Sequence, residues 1–231
     1  MKVVVLQSNY FPWKGYFELI HNADVFCFYD EVQYTKNDWR NRNQIIGPNG
    51  LFWLTIPISK DAVKKNISQV KFGNLDWVDK HLMSIKQAYS KAPNRDSVLN
   101  LIEPVLLNAK DLSLSLLNQK LIIAISDYVG IKTEFQNSSQ YKLEIGKTER
   151  LIKLVKDIGG SKYISGPAAK DYLSNSSSLF ERSGVELSYI EYGPYKEYPQ
   201  KTVNCNDYVS ILDLLMNIGK DEALNYIISI K

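Results

Sequence analysis

Between Asp30 and Asn43 the chain reads D-E-V-Q-Y-T-K-N-D-W-R-N-R-N, and nearly every side chain in it donates or accepts a hydrogen bond. A carboxylate and amides (Asp30, Gln33, Asn43) suit sugar hydroxyls. Trp39 suits a sugar face or a base, while Lys36, Arg40 and Arg42 suit phosphate, arginine through paired bonds. The stretch lacks Gly, Ser and Pro, which are common turn builders. Upstream, Q-S-N-Y-F-P-W contributes Gln7, Asn9, Tyr10 and Trp13. On composition alone, Asp30–Asn43 is balanced between a ligand site and a loop in which Asp30 and Asn41 cap turns and the arginines are solvated.

Two later stretches carry further candidates. In V-S-I-L-D-L-L-M-N-I-G, Ser210, Asp213 and Asn217 fall at i, i+3 and i+7, a polar stripe on an otherwise apolar helix. A carboxylate buried there is costly unless paired, so Asp213 should meet a ligand, an arginine or a backbone donor, or pair structurally. Y-G-P-Y-K-E-Y-P-Q holds Tyr195 and Gln200 and reads either as a stacking wall or as a Pro-rich connection. His81 lies beside an apolar helix stripe, where packing is the more ordinary role than catalysis. His21, at a helix end, complements the dipole there.

The elements that must position these groups follow from periodicity. Val3–Leu6 and Val25–Tyr29 read as buried strands, and the segment between them, opening at Pro12, places Trp13, Tyr16, Phe17 and Ile20 at helical spacing. Together they predict a parallel βαβ unit. If its strands are neighbours, Gln7 and Asp30 both lie at the carboxyl edge, where open α/β sheets bind ligands. The apolar runs around G-P-N-G predict a β-hairpin, and I-S-Q-V-K-F at Ile67–Phe72 alternates like a further strand. Helices are predicted around Val78–Tyr89, Ser97–Ala109, Leu114–Val129 and Leu151–Ile158. Strands are predicted near Tyr163–Ser165 and 185–190, and a final helical pair is broken at Gly219. N-S-S-S at 175–178 is a helix-start or turn signal. The expectation is one α/β domain over 1–231: a mixed sheet with an N-terminal parallel βαβ unit, a β-hairpin and flanking helices.

Composition narrows the classes. With 231 residues, 45% hydrophobic and 23% charged, the chain can build a core, and its net charge of +3 is too small for the strongly basic surface of a nucleic-acid binder. Fifteen tyrosines exceed the eight phenylalanines, favouring half-polar aromatic packing or pockets. Cys27 reads as a buried small hydrophobe. With Cys205 far away, no disulfide framework is expected, which points to a reducing cytoplasm. No run reaches membrane-spanning length. Two distant histidines and two distant cysteines form no metal signature, and no G-x-G-x-x-G, Walker loop, G-x-S-x-G or Asp-x-Asp pair occurs.

The ordered series Q-S-N-Y-F-P-W-K-G-Y-F-E-L-I, A-D-V-F-C-F-Y-D-E-V-Q-Y-T-K-N-D-W-R-N-R-N, G-L-F-W-L-T-I-P, W-V-D-K-H-L, K-T-E-R-L, Y-I-S-G-P-A-A-K-D-Y-L, Y-P-Q and S-I-L-D-L-L-M-N-I-G resembles the WbqC-like family over nearly the whole chain. The match includes Gln7, Tyr10, Trp13, Asp30, Gln33, Lys36, Trp39, Arg42, Asn43, His81, Gln200, Asp213 and Asn217. The resemblance implies a place in surface-polysaccharide (O-antigen) biosynthesis. It implies acyl or aminoacyl transfer, with glycyl a candidate, to the amine of a nucleotide-linked deoxyamino sugar. Asp30, Asp213 and His81 are then candidates for the base, and the other named polar and aromatic residues, with Asn9, Arg40 and Tyr195, are candidates for substrate binding. No bound cofactor or metal is expected. The donor stays open among acyl-CoA, an acyl carrier and aminoacyl-tRNA, and RNA enters only in that last role. The rival is a non-catalytic nucleotide-sugar or glycan-binding protein assisting polysaccharide assembly. Two departures stand out: Ser8 replaces the family's usual proline, and Gly193-Pro194-Tyr195 stands where the family often has His-Pro.

Overall fold

The structure is a computed structural model describing residues 1–143, 146–173, 176–201 and 206–230. β1 (Lys2–Leu6), α1 (Lys14–His21) and β2 (Val25–Phe28) form the expected unit, with Val3 beside Val25 in a parallel ladder. Both strands are apolar at successive positions because both faces of the sheet are covered. The chain then leaves this sheet. β3 (Arg42–Gly47) and β4 (Gly50–Thr55) pair as an antiparallel hairpin whose turn ends in Gly50 at φ +102°, a conformation that favours glycine. Helices α2 (Trp77–Ala88), α3 (Arg95–Leu107) and α4 (Leu114–Tyr128) follow, and β5 (Glu134–Asn137) returns to pair with β2.

The chain next crosses to the other side of β1. α5 (Thr148–Asp157) leads to β6 (Lys162–Ser165), which pairs with β1, and α6 (Lys170–Leu173) and α7 (Ser177–Ser183) lead to β7 (Glu186–Tyr189). α8 (Ile211–Ile218) and α9 (Lys220–Ile227) close the described chain. The strand order is β5-β2-β1-β6-β7, all parallel. Progress runs outward from β1 to β5, then reverses to β6 and β7, so the topological switch lies between β1 and β6.

Strand alternation sorts the interior into two cores. Val4, Phe26 and Phe28 face a large cluster that includes residues of α1–α4, α8 and α9. Val3, Val5, Val25 and Cys27 face a smaller one formed with α5 and α7. Burial there pushes the Cys27 thiol up to about 12, so it behaves as a packed hydrophobe. Cys205 and Asn175 lie outside the described residues.

The α/β class and the βαβ unit hold. The five-stranded sheet is parallel rather than mixed, and the antiparallel strands form a separate two-stranded hairpin, with isolated antiparallel bridges such as Ile58–Phe72 besides. The strand expected at Ile67–Phe72 is not there: Ile67–Gln69 is a 3-10 turn. Gln69 accepts from the Asn66 N–H, and Ile67 and Val70, three apart, are both buried, so local bonding supplants a ladder. β5 had no forecast, since E-F-Q-N shows a single apolar residue on a sheet edge. Among the described residues no helix is long and apolar enough to cross a membrane.

Candidate functional site

At the carboxyl ends of β1, β2 and β6 lies a cleft of about 870 Å³, a size typical of small-molecule sites. Successive residues of a strand point to opposite faces, and this parity builds the cleft. Past β2, Tyr29 and Glu31 line it together with Gln7 from the end of β1, while Asp30 between them points toward α4. Ser165 and Gly166 from the end of β6, and Gly146, Lys147, Thr148 and Arg150 from the start of α5, supply the opposite walls. Val5, Leu6, Leu151, Ala169 and Leu173 form an apolar floor. A hollow of similar size, about 880 Å³, lies against the edge strand β7, away from the switch point.

The polar groups of the cleft are poised to donate. Tyr163 donates to Ser165 Oγ at 3.2 Å, leaving the Ser165 hydroxyl hydrogen for a ligand. Gln7 Oε1 accepts from Arg40 at 3.2 Å, so its amide NH2 remains available, and Arg40 also donates to Asn9 Oδ1. Arg150 bonds to Tyr29, opposing the rise in that tyrosine's pKa that burial causes. Lys147 sits at the N-cap of α5 and Arg150 in its first turn. A helix N-terminus favours negative charge. Glu149 supplies one carboxylate in this first turn, and Lys147 and Arg150 on the cleft wall add cations that suit a further anion.

Beside the cleft stands an aromatic cluster. A Cβ on Gly166 would lie 3.5 Å from the Tyr192 hydroxyl, and the Tyr192 ring meets Trp13 at 4.9 Å. Trp13 also contacts Tyr195 at 6.3 Å and the exposed Tyr208 at 5.0 Å. Behind it, the buried Lys14 ammonium lies over the Tyr195 ring at 4.4 Å and pairs with Asp207 at 2.5 Å. Tyr195 donates to Glu18 at 2.5 Å, and the combined effect of burial and that carboxylate raises its pKa.

The other expected site residues are elsewhere. Asp30 is 3% exposed and accepts from the Ser8 N–H at 2.9 Å, Ser115 at 2.5 Å and Gln119 at 3.0 Å. Asp213 is buried and accepts from Tyr198 and Gln200, both at 3.0 Å, and burial raises its pKa. Asn217 donates to the Asp213 carbonyl within the same helix. His81 is packed between Trp77 and Tyr10, at 3.0 Å from the Tyr10 hydroxyl, and burial lowers its pKa to about 4. Asn43 donates to the Phe11 carbonyl at 2.7 Å and braces the β1–α1 loop. Trp39, 44% exposed, packs on Trp53 at 5.6 Å, and Arg42 lies over Trp53 at 4.4 Å, with Lys36 exposed in the same loop. Gln33 reaches the cleft while donating to the Val63 carbonyl.

The structure therefore brings Gln7 and Gln33 into the cleft, Asn9 and Arg40 behind Gln7, and Trp13 and Tyr195 beside it. Asp30, Asp213, His81, Tyr10, Asn43 and Gln200 do not line it. Missed from sequence were Tyr29, Glu31, Lys147, Thr148, Arg150 and Ser165. One signal was present: I-G-K-T-E-R sets a glycine and two cations at the start of an amphipathic helix. Among the described residues no group of three or more His, Cys, Asp or Glu is placed to hold a metal ion.

Comparison with known proteins agrees with the N-terminal signature. The profile of the WbqC-like protein family matches residues 7–225. The uncharacterized protein Rv1507c of Mycobacterium tuberculosis is 39% identical over 227 residues, 98% of this chain and 97% of that protein. No solved structure matches.

Proposed function

The chain belongs to the WbqC-like protein family, and from that premise we propose that it transfers an acyl or aminoacyl group, glycyl among the candidates, to the amine of a nucleotide-linked deoxyamino sugar in surface-polysaccharide (O-antigen) biosynthesis. The observation that carries this reading is the switch-point cleft with Lys147, Arg150 and the N-terminus of α5 on one wall. That wall suits a diphosphate. The apolar floor with Tyr29 and Tyr163 suits a base, and Gln7 and Ser165 suit sugar hydroxyls or a carbonyl oxygen.

In the proposed step the neutral amine attacks the carbonyl of an activated acyl donor, a thioester or an ester. A C–N bond forms, the C–S or C–O bond breaks, the nitrogen sheds one proton, and the leaving group gains one. The donor supplies the activation, and the protein supplies orientation and donors for the developing oxyanion. Asp30, Asp213 and His81 act in this reading by holding the scaffold, since each is engaged away from the cleft.

That engagement also favours a second reading, a nucleotide-sugar or glycan-binding protein without turnover that assists polysaccharide assembly. One experiment separates the two. Thermal stabilisation is measured against nucleotides, UDP- and dTDP-linked amino sugars, acyl-CoAs and amino acids, and mass spectrometry then follows the bound sugar with each donor class, aminoacyl-tRNA included. A ligand at a hundredfold excess over its dissociation constant adds about 2.7 kcal/mol, a rise of roughly 5–10 °C for a chain of this size. Binding with a gain of acyl mass supports transfer. Binding with no gain from any donor supports the second reading. No shift with any nucleotide overturns transfer to a nucleotide sugar and leaves the second reading only in its glycan-binding form.

A further inference from the structure

The cleft contains one Asp or Glu side chain, Glu31, among its described lining residues. Glu31 is half-buried, and no hydrogen bond or ion pair holds it among the described residues. Its neighbour Asp30 carries three donors, so the two carboxylates differ in kind: one is spent on structure and the other faces a cavity. The cations of the cleft, Lys147 and Arg150, belong to α5, whereas Glu31 follows β2, and Arg150 is already bonded to Tyr29.

This charge layout discriminates among ligands. A nucleoside diphosphate brings negative charge into a space that already contains the Glu31 carboxylate, and like charges in a partly desolvated cleft repel. A ligand carrying a cation at its other end relieves that repulsion and gains a charge-assisted hydrogen bond. We infer that Glu31 is the specificity-determining residue that reads the sugar amine, setting an amine-bearing nucleotide sugar above its hydroxyl counterpart. The inference rests on the nucleotide-sugar reading of the cleft and adds which end of the ligand lies where: phosphates toward α5, amine toward the end of β2.

A second consequence concerns the product. Acylation converts the amine into an amide, which carries no charge at nitrogen and accepts no proton at neutral pH. The product loses the ion pair with Glu31 while keeping the same phosphates and sugar ring. The cleft therefore holds substrate more tightly than product, which limits product inhibition. Before attack the bound ammonium passes one proton to the Glu31 carboxylate, giving the neutral amine, which sheds its second proton as the C–N bond forms.

The test is calorimetric titration with four probes: UDP or dTDP alone, the same nucleotide linked to an amino-deoxy sugar, its hydroxyl counterpart, and its N-acetylated form. The wild type should prefer the amine over the hydroxyl and N-acetyl forms by on the order of tenfold, the preference shrinking as salt rises. Glu31→Gln should bring the three sugars to equal affinity and leave the affinity of the free nucleotide unchanged or slightly higher. Glu31→Asp, which keeps the charge, should restore part of the preference. Lys147→Ala should instead weaken all four probes alike. If Glu31→Gln keeps the full amine preference, the inference falls and the nucleotide-sugar reading survives. If neither free nucleotide nor any nucleotide sugar binds the wild type, the reading itself falls and the inference with it.

Discussion

Asp30 and Glu31 are adjacent in the chain and opposite in circumstance. Asp30 turns into the larger core, where Ser8, Ser115 and Gln119 together satisfy its carboxylate. Glu31 turns into the switch-point cleft and meets no donor among the described residues. The same chemical group one residue apart is a structural tie in one case and a ligand-facing charge in the other. The distinction recurs across the molecule. Asp213 with Tyr198 and Gln200, His81 with Tyr10, and Glu18 with Ser229 and Tyr195 are closed polar sets in the interior. Glu31 and Lys147 stand open on the cleft. Closed sets orient elements that arrive from distant parts of the chain, and open groups are what a ligand can use.

The strongest test of this contrast is thermodynamic. Asp30→Ala leaves a buried serine hydroxyl, a glutamine amide and a backbone N–H without their acceptor, and should lower stability by about 3 kcal/mol or more. That corresponds to a melting temperature lower by roughly 6–12 °C. Glu31→Ala should change stability by less than about 0.5 kcal/mol. Chemical denaturation of both variants decides it: comparable losses at the two positions would erase the distinction between closed and open carboxylates.

His81 should show its closed state through pH. Burial holds its imidazole near 4 in the folded protein, against an ordinary value of 6.5. Above pH 6.5 the ring is neutral in both states and contributes no pH dependence. As pH falls from 6.5 toward 4, the unfolded chain takes a proton that the native ring refuses, and stability drops by roughly 3 kcal/mol across that window. Below about 4 the native ring is protonated too and the loss levels off. His81→Gln should melt lower at neutral pH yet lose less between pH 6.5 and 4. Parallel melting curves for the two proteins over that range would show that the ring is not insulated.

The legible parts of this structure were those whose local pattern had one solution. V-V-V-L and V-F-C-F bracketing a helical stripe specified the parallel βαβ unit, and G-P-N-G between apolar runs specified the hairpin. The site was legible only at its edge. Strands buried on both faces show no alternation, so nothing local marked which side of β2 would open to the cleft, and Asp30 looked as available as Glu31. The α5 wall lies more than a hundred residues from Gln7 in sequence, and only the return of the chain to β6 beside β1 brings them together. Trp39, Arg42 and Lys36 have ligand-like chemistry but sit on the hairpin side, where Arg42 and the rings stack on one another. I-G-K-T-E-R was informative for an electrostatic reason: beside Glu149, which complements the dipole, it places a lysine and an arginine that oppose it at the helix start.

A smaller effect is expected when the open wall is altered. Lys147→Ala removes an exposed cation from the start of α5 and should leave the fold intact. Nucleotide affinity should fall on the order of tenfold, about 1.4 kcal/mol, and depend less on salt than in the wild type. Calorimetry with UDP and dTDP at two ionic strengths measures both. An unchanged affinity would move the phosphate seat away from α5 and leave Lys147 a solvated surface residue.

The smallest expected effect probes whether a closed carboxylate needs its charge at all. Burial raises the pKa of Asp213 above the usual range, with Tyr198 and Gln200 opposing the rise. A raised folded value means that the native state holds its proton more readily than the unfolded chain. The wild type therefore loses stability as pH climbs from the ordinary aspartate range through the folded value, and stays at that lower level above it. Asp213→Asn keeps a carbonyl to accept from Tyr198 and Gln200 and carries no charge to desolvate, so at neutral pH it should differ from the wild type by less than about 1 kcal/mol. Asp213→Ala, which takes the acceptor from Tyr198 and Gln200 and the carboxylate from beside Tyr89, should lose about 2 kcal/mol. Denaturation of the pair at neutral pH settles the point. If asparagine proves as damaging as alanine, the charge itself is required, and Asp213 belongs with Glu31 rather than with Asp30.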